Sequence, residues 1–247
     1  MNWSGELTIG DGWARYSGVS GDNDTHAHYA AQLITVSSNR IASVLLEGET
    51  IRARYIYVPS GKRHQLLATS DQLQIFYIEP ALIPATTGDQ REPVETVSRA
   101  AMALCQELCN RSPNDVAPTS RPIDDRIRNA LALIEWDLDS SIRLASIGRS
   151  CGLSKSRFAE LFRRDTGLPL RQYVLWRRLR RALVGMSEGL SATDAAHSAG
   201  FSDSAHFSRT MKAMFGVSPS SIKRGVKIIT EDGFVPNSLS ASARETV

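Results

Sequence analysis

The chain has 247 residues, 22% of them charged and 42% hydrophobic, a balance that excludes a mostly disordered protein. No apolar run reaches the roughly 18 residues a membrane span needs. The opening MNWSGELTIGDG has neither the basic start nor the apolar core of a secretory signal, so a cytoplasmic protein is expected. The net charge of +3 divides unevenly: residues 1–120 carry −4, residues 121–230 carry +9 and residues 231–247 carry −2. A basic half beside an acidic one suggests two tasks, the basic part facing a polyanion.

In chain order, residues 1–80 hold short β-like runs, TVSS, ASVLL, TIRARYIYV, QLLAT and QLQIFYI. Turn residues separate them at SSN, EGE, PSG and SDQ, as in a small β-sandwich or barrel. Pro93 then opens a segment through residue 110 with Val94, Val97, Ala101, Leu104, Cys105 and Leu108 at spacings of three and four, which predicts an amphipathic helix. RSPNDVAPTSRP reads as a linker. From Ile123 to about Lys223 the pattern is helical, and the last residues lack periodicity. The expected division is a front domain over 1–111, a linker over 112–122, a helical domain over 123–227 and a loose tail over 228–247. The three cysteines, Cys105, Cys109 and Cys151, are too few for a disulfide framework and fit a reducing compartment. Cys105 and Cys109 are read as small buried hydrophobes rather than as a thiol pair.

The helical half repeats itself. Gly148-Arg149-Ser150-Cys151-Gly152-Leu153-Ser154, followed by Phe158, Phe162, Gly167 and Leu168, matches Ala196-His197-Ser198-Ala199-Gly200-Phe201-Ser202, followed by Phe207, Met211, Gly216 and Val217. Each unit reads as helix, glycine turn, hydrophobic plug, capping serine and second helix. Gly152 and Gly200 supply a positive φ, and Ser154 and Ser202, the latter shared with Asp203, supply the caps. Phe158/Phe162 and Phe207/Met211 bury one face. Two helix-turn-helix units in register on a basic half point to DNA. Between them Leu170, Tyr173, Trp176, Leu179 and Leu183 recur at helical spacing, with five arginines expected outside, some of them on phosphates.

Residues 123–224 resemble the DNA-binding domain of AraC/XylS-type transcription regulators. The resemblance is carried by Leu153-Ser154 through Gly167, by Ala199-Gly200-Phe201-Ser202-Asp203-Ser204-Ala205-His206-Phe207-Ser208-Arg209, and by Phe215-Gly216-Val217-Ser218-Pro219. It implies a transcription regulator, an activator as most such proteins are, that meets double-stranded promoter DNA and RNA polymerase in the bacterial nucleoid, commonly as a homodimer. Ser156, Ala159, Glu160, Ala205, His206 and Arg209 match its base-facing positions. Arg157, Arg163 and Ser204 share the exposed faces, and Lys155, Arg164 and Lys212 are assigned to phosphates. Arg209 is the sharpest expectation, because arginine pairs bidentately with guanine. Glu160 either accepts from cytosine or pairs with Arg157, Arg163 or Arg164. Leu104 and Leu108 are the implied dimer contacts.

In the front half, His26-Ala27-His28 with Gln32 and Pro59-Ser60-Gly61-Lys62-Arg63-His64 resemble the two cupin motifs, H-x-H-x3-E and P-x-G-x2-H. The expected fold is therefore α+β: a cupin-like β-barrel and a helix, then an all-α domain with two helix-turn-helix units. His26, His28, Gln32, His64 and Tyr57 are the candidate effector-binding residues. The first four are also the candidate ligands of a divalent transition metal, with Gln32 standing where metal cupins have a carboxylate. An organic effector is weighed above a metal, with Tyr29, Tyr55 and Phe76 as wall and Arg52 or Arg54 for an anion. A non-enzymatic, effector-controlled regulator is expected. The alternative is a metal-dependent cupin enzyme or metal sensor fused to a DNA-binding domain.

Overall fold

The computed structural model describes residues 2–10, 12–37, 39–83, 99, 101–107, 123–139 and 144–230, the side chains of residues 81, 144 and 145 excepted. Eight strands come first: β1 (Ser4–Ile9), β2 (Trp13–Ser20), β3 (Ala31–Val36), β4 (Ala42–Leu46), β5 (Glu49–Ala53), β6 (Tyr55–Val58), β7 (His64–Leu66) and β8 (Thr69–Ile78). Helix α1 runs through residues 101–107. The helical half holds α2 (Asp125–Trp136), α3 (Leu144–Ser150), α4 (Lys155–Thr166), α5 (Leu170–Ser187), α6 (Ala192–Ser198), α7 (Ser204–Phe215) and α8 (Pro219–Gly225). A last strand, β9 (Val226–Thr230), follows at once.

The strands form two sheets, ordered β6-β3-β8-β2-β1-β9 and β5-β4-β7. The expected barrel is therefore a two-sheet sandwich. TIRARYIYV, one run in the sequence, breaks at Arg54 and gives a strand to each sheet. Alternation along β3 and β8 divides the core. Leu33, Phe76 and Ile78 face one side with Trp13, where α1 covers them with Leu104 and Cys105. Ile34, Ile75 and Tyr77 face the other side, toward Val44 and Leu66 of the small sheet and toward the helical half. Leu104 is 3% exposed and spent inside this packing, so the structure does not present it to a second subunit. Leu108, the other expected dimer contact, lies outside the described residues, as does Cys109.

The two halves are not beads on a linker. β9 pairs parallel to β1, from Gly5↔Val226 to Ile9↔Thr230. Residues 228–230, read from the sequence as tail, are thus part of the front sheet. One apolar cluster runs from the sheet through Trp176, Met211 and Val226, with no break between the halves.

Candidate DNA interface and histidine cluster

The helix-turn-helix units are built as their residues dictate. Gly152 and Gly200 turn the chain at φ +66° and +84°. Ser154 Oγ accepts the Arg157 amide at 3.3 Å and caps α4. Asp203 Oδ1 accepts the His206 amide at 2.6 Å and caps α7, while the Ser202 hydroxyl braces the other carboxylate oxygen at 2.9 Å. Phe158, Phe162 and Phe207 are wholly buried, Met211 nearly so. At Gly148 an added Cβ would lie 3.3 Å from the Phe158 Cβ, so the small residue there serves close helix approach.

The residues left outside are the candidate readers. Lys155, Ser156, Arg157, Ala159, Glu160, Arg163 and Arg164 are exposed on α4. On α7, Ala205, Arg209 and Lys212 are exposed, and Ser204 and His206 are partly so. A groove lined by Ala159, Glu160 and Arg163 of α4, Arg171 and Arg178 of α5 and His206 of α7 joins the two helices on one face.

Several of these side chains already have partners. Glu160 pairs with Arg157 at 2.9 Å, the second of its two expected roles. Arg164 pairs with Asp165 at 2.6 Å, and the other oxygen of Asp165 accepts the Asp124 amide at 3.0 Å, so this arginine helps seat α2. Lys212 reaches Asp24 of the front half at 2.9 Å.

The connecting helix α5 buries its predicted seam, Leu170, Tyr173, Trp176, Leu179 and Leu183. Of the five arginines expected outside, Arg171 is exposed, while three are taken up by the protein itself. Arg177 is enclosed between Glu79 and Glu135, Arg178 donates to the Leu138 carbonyl at 2.8 Å, and Arg180 donates through Nε to the Gly10 carbonyl at 3.0 Å. Trp176 Nε1 also donates to Glu79, at 2.8 Å. Buried carboxylates and carbonyls of neighbouring elements take these donors, and a local sequence count of acids does not reveal them. Glu79 and Asp24 have no part in the sequence reading, and Phe215, quoted there in Phe215-Gly216-Val217-Ser218-Pro219, is given no role toward the front half. Glu79, an acid directly after an apolar strand, has a local signal in the sequence.

Beside the end of α7 sit the three histidines. His26 and His64 face each other across an antiparallel bridge, with amide-to-carbonyl distances of 2.9 and 2.8 Å. His26, His28 and His64 are 6%, 4% and 1% exposed, and one ligand atom of each lies within 4.8 Å of the others. Each Nδ1 contacts a backbone carbonyl: Asp24 at 2.8 Å, Ala30 at 2.7 Å and Lys62 at 2.9 Å. A carbonyl only accepts, so each ring carries its proton on Nδ1 and keeps a lone pair on Nε2. Nε2 of His28, Nε2 of His64 and Oε1 of Gln32 are buried without a hydrogen-bond partner. A buried polar atom left unpaired costs about 1–3 kcal/mol. Burial, with the like charges of neighbouring rings, holds His26 down to about 4 and His28 well below the ordinary range. Burial lowers His64 as well. The three rings are therefore neutral at pH 7.

Gln32 lies at this cluster, beside His28 and Tyr77. Tyr57 does not. Its neighbour Val58 pairs with Gln32 and faces the cluster side, so alternation turns Tyr57 to the α1 face with Leu33 and Phe76. Tyr55 is exposed, with Arg54 over its ring at 5.4 Å. Tyr29 lies against Trp176 and donates its hydroxyl to the Thr166 carbonyl. A separate apolar cavity of about 70 Å³ lies between the halves, lined by Trp13, Tyr16, Tyr77, Trp176, Met211 and Phe215 among others.

A helix-turn-helix domain family matches residues 147–225. The Msm operon regulatory protein of Streptococcus mutans is 25% identical over 195 residues, which cover 78% of this chain and 67% of that one. The arabinose operon regulatory protein of Escherichia coli is 32% identical over 106 residues, 42% of this chain and 36% of its own length. The transposon Tn10 TetD protein of Escherichia coli is 32% identical over 99 residues, 40% of this chain and 72% of that one. This chain thus spans from about a third to about two thirds of the operon regulators it matches. The crystal structure of ToxT from Vibrio cholerae shares the fold, with a TM-score of 0.53 at 12% identity over 85% of this chain and 96% of that one. With the paired helix-turn-helix units, these relations place the chain in the AraC/XylS family of transcription regulators.

Proposed function

We propose that this protein is a sequence-specific DNA-binding regulator that reads a bipartite promoter site and answers to a small effector held by its front half. The observation that carries this reading is the pair of helix-turn-helix units, whose exposed α4 and α7 faces border one groove. Major-groove faces repeat about 34 Å apart along the duplex, so two readers fixed by one α5 read one side of the DNA. Arg209, exposed on α7 with an ordinary arginine's five donors, is the main base reader. The free residues Lys155 and Arg163 and the ion-paired Lys212 supply phosphate contacts.

The apolar cavity between the halves is the proposed effector site. Its walls come from both the sheet and the recognition-helix domain, so an apolar molecule there favours one arrangement of the halves over another. The relatives named as operon regulators support transcription control at promoters. Activation through RNA polymerase, homodimerisation and a cytoplasmic location belong to the same proposal. No helix among the described residues is long and apolar enough to cross a membrane.

The test is a mobility shift with duplexes selected by the protein from a randomised pool, followed by footprinting. Protection of two patches one helical turn apart is expected, with affinity falling steeply as salt rises. Arg209→Ala should weaken the selected site by roughly 1–3 kcal/mol and relax one base position. Unchanged affinity and sequence preference would remove Arg209 from the reading. A protein that selects no sequence overturns the function.

A further inference from the structure

We propose that Arg171, on α5 between the two recognition helices, enters the minor groove of the base pairs that separate the two halves of the DNA site. The protein thereby prefers a narrow-grooved, A·T-rich spacer whose bases it does not read one by one. This inference deepens the DNA-binding reading above and rests on it.

The groove that joins the recognition helices has a floor as well as rims. Its volume is about 830 Å³, room for the sugar–phosphate edge of a duplex rather than for an ion or a water. One stripe of α5 makes the floor: Arg171, Val174, Leu175 and Arg178 stand at i, i+3, i+4 and i+7. Val174 is buried and Leu175 half-buried, so the middle of the stripe is apolar and suits the faces of deoxyriboses. The two ends are cationic. Arg178 is anchored, its Nε given to the Leu138 carbonyl at 2.8 Å. Arg171 is exposed, and among the described residues nothing pairs with its side chain. Arg163 of α4 and His206 of α7 add donors on the rims. Glu160, the one carboxylate among the described lining residues, is held by Arg157 at 2.9 Å.

That arrangement of charge fits what the duplex presents there. Two major-groove faces on one side lie about 34 Å apart, and midway, about five base pairs from either centre, the minor groove turns to the same side. Ala159, Glu160 and His206 border the groove. With those residues in the two major-groove segments, the α5 stripe between them meets the intervening minor groove. The minor groove carries a degenerate pattern that does not tell A·T from T·A. What it offers is width and potential: A·T runs narrow it and strengthen its negative potential, which draws in an arginine. A guanidinium is more weakly hydrated than an ammonium, so it enters at lower cost. The halves of the site are then chosen by the bases that α4 and α7 touch, and the spacer by its shape.

The full chain should be titrated with three duplexes that share the selected half-sites and differ only in the spacer: A·T pairs, G·C pairs or inosine·cytosine pairs. Inosine keeps the major-groove face of guanine and lacks its minor-groove N2 amino group. The A·T and inosine·cytosine spacers should bind at least about five-fold tighter than the G·C spacer. Arg171→Ala, with the fold checked by circular dichroism, should bring the three within about two-fold of one another and lower the salt slope by about one, with the half-site preference unchanged. Arg171→Lys should restore the salt slope but less of the spacer preference. Equal wild-type affinity for all three spacers overturns the inference. A preference for A·T that inosine·cytosine does not reproduce overturns the minor-groove contact, and one that survives Arg171→Ala overturns the role of Arg171. In each of these cases the half-sites are still selected and the functional reading stands. If no sequence is selected at all, that reading fails and this inference falls with it.

Discussion

The two helix-turn-helix units share one plan and differ in what holds them. The first packs aromatic on aromatic: Phe158 on Phe162 and Phe162 on Tyr173, each pair 5.4 Å between ring centres. The second packs Phe207 on Phe201, 5.3 Å between ring centres, and has Met211 where the first has Phe162; Met211 also borders the cavity between the halves. The first recognition helix ends beside Tyr29 and Pro80 with ordinary contacts at Gly167. The second ends pressed against Asp24 and His26. Both units have an aromatic core and both touch the front half, but the contact is tighter at the end of the second, so a signal from the front half acts more directly there.

The largest expected effect tests the core side of that contrast. Phe162→Ala should cost about 3–5 kcal/mol, and Met211→Ala should fall at the lower end of roughly 2–5 kcal/mol, because a flexible side chain beside existing space leaves less new cavity. Urea midpoints measured on both variants check this, and equal losses would break the contrast.

The next effect tests the docking side. Gly167 and Gly216 both end recognition helices at positive φ, +80° and +69°. Alanine at either position pays roughly 1–2 kcal/mol for the left-handed conformation. Gly216→Ala must in addition displace the Asp24 backbone, so its melting temperature should drop clearly further than that of Gly167→Ala. Similar drops would mean that the second unit is not pressed on the front half in solution.

The smallest effect lies in the caps. Ser154→Ala should cost about 1 kcal/mol at any pH, since a hydroxyl cap does not titrate there. Asp203 caps α7 as a carboxylate whose pKa is lowered, first by the His206 amide and then by the Ser202 hydroxyl. Its contribution is present above the ordinary carboxylate pKa and is lost as pH falls through the lower folded value. Amide exchange between pH 5 and pH 2.5 should therefore show the first turn of α7 loosening before that of α4. Simultaneous loosening would show that the caps do not distinguish the units.

The repeat, both glycine turns, the Ser154 cap and the apolar seam of α5 were legible because each is local and recurs within about fifty residues. The cap of α7 was half legible: Ser202 and Asp203 are adjacent, and only the geometry makes the carboxylate the acceptor. The motif histidines were legible as a set, but Tyr57 was not separable from them, because one residue of strand register decides its face. The roles of Arg177 and Arg180 were hidden, since their partners Glu79 and Gly10 lie about a hundred or more residues earlier. β1, β2 and β9 escaped for a related reason. The apolar content of β1 is modest, β2 is broken by Arg15 and Gly18, VKIIT follows directly on a helical stretch, and the pairing of β1 with β9 spans nearly the whole chain.

That pairing has a consequence for synthesis. β1 leaves the ribosome with the first residues, while its parallel partner arrives more than two hundred residues later. At translation speeds of about 5–20 residues per second, the front sheet, complete up to β8 about 150 residues earlier, waits roughly 7–30 s with one edge open. An open edge of this kind is a template for pairing with another chain. A shortened version ending at Gly225, which keeps every helix of the DNA-binding half, would make that exposure permanent.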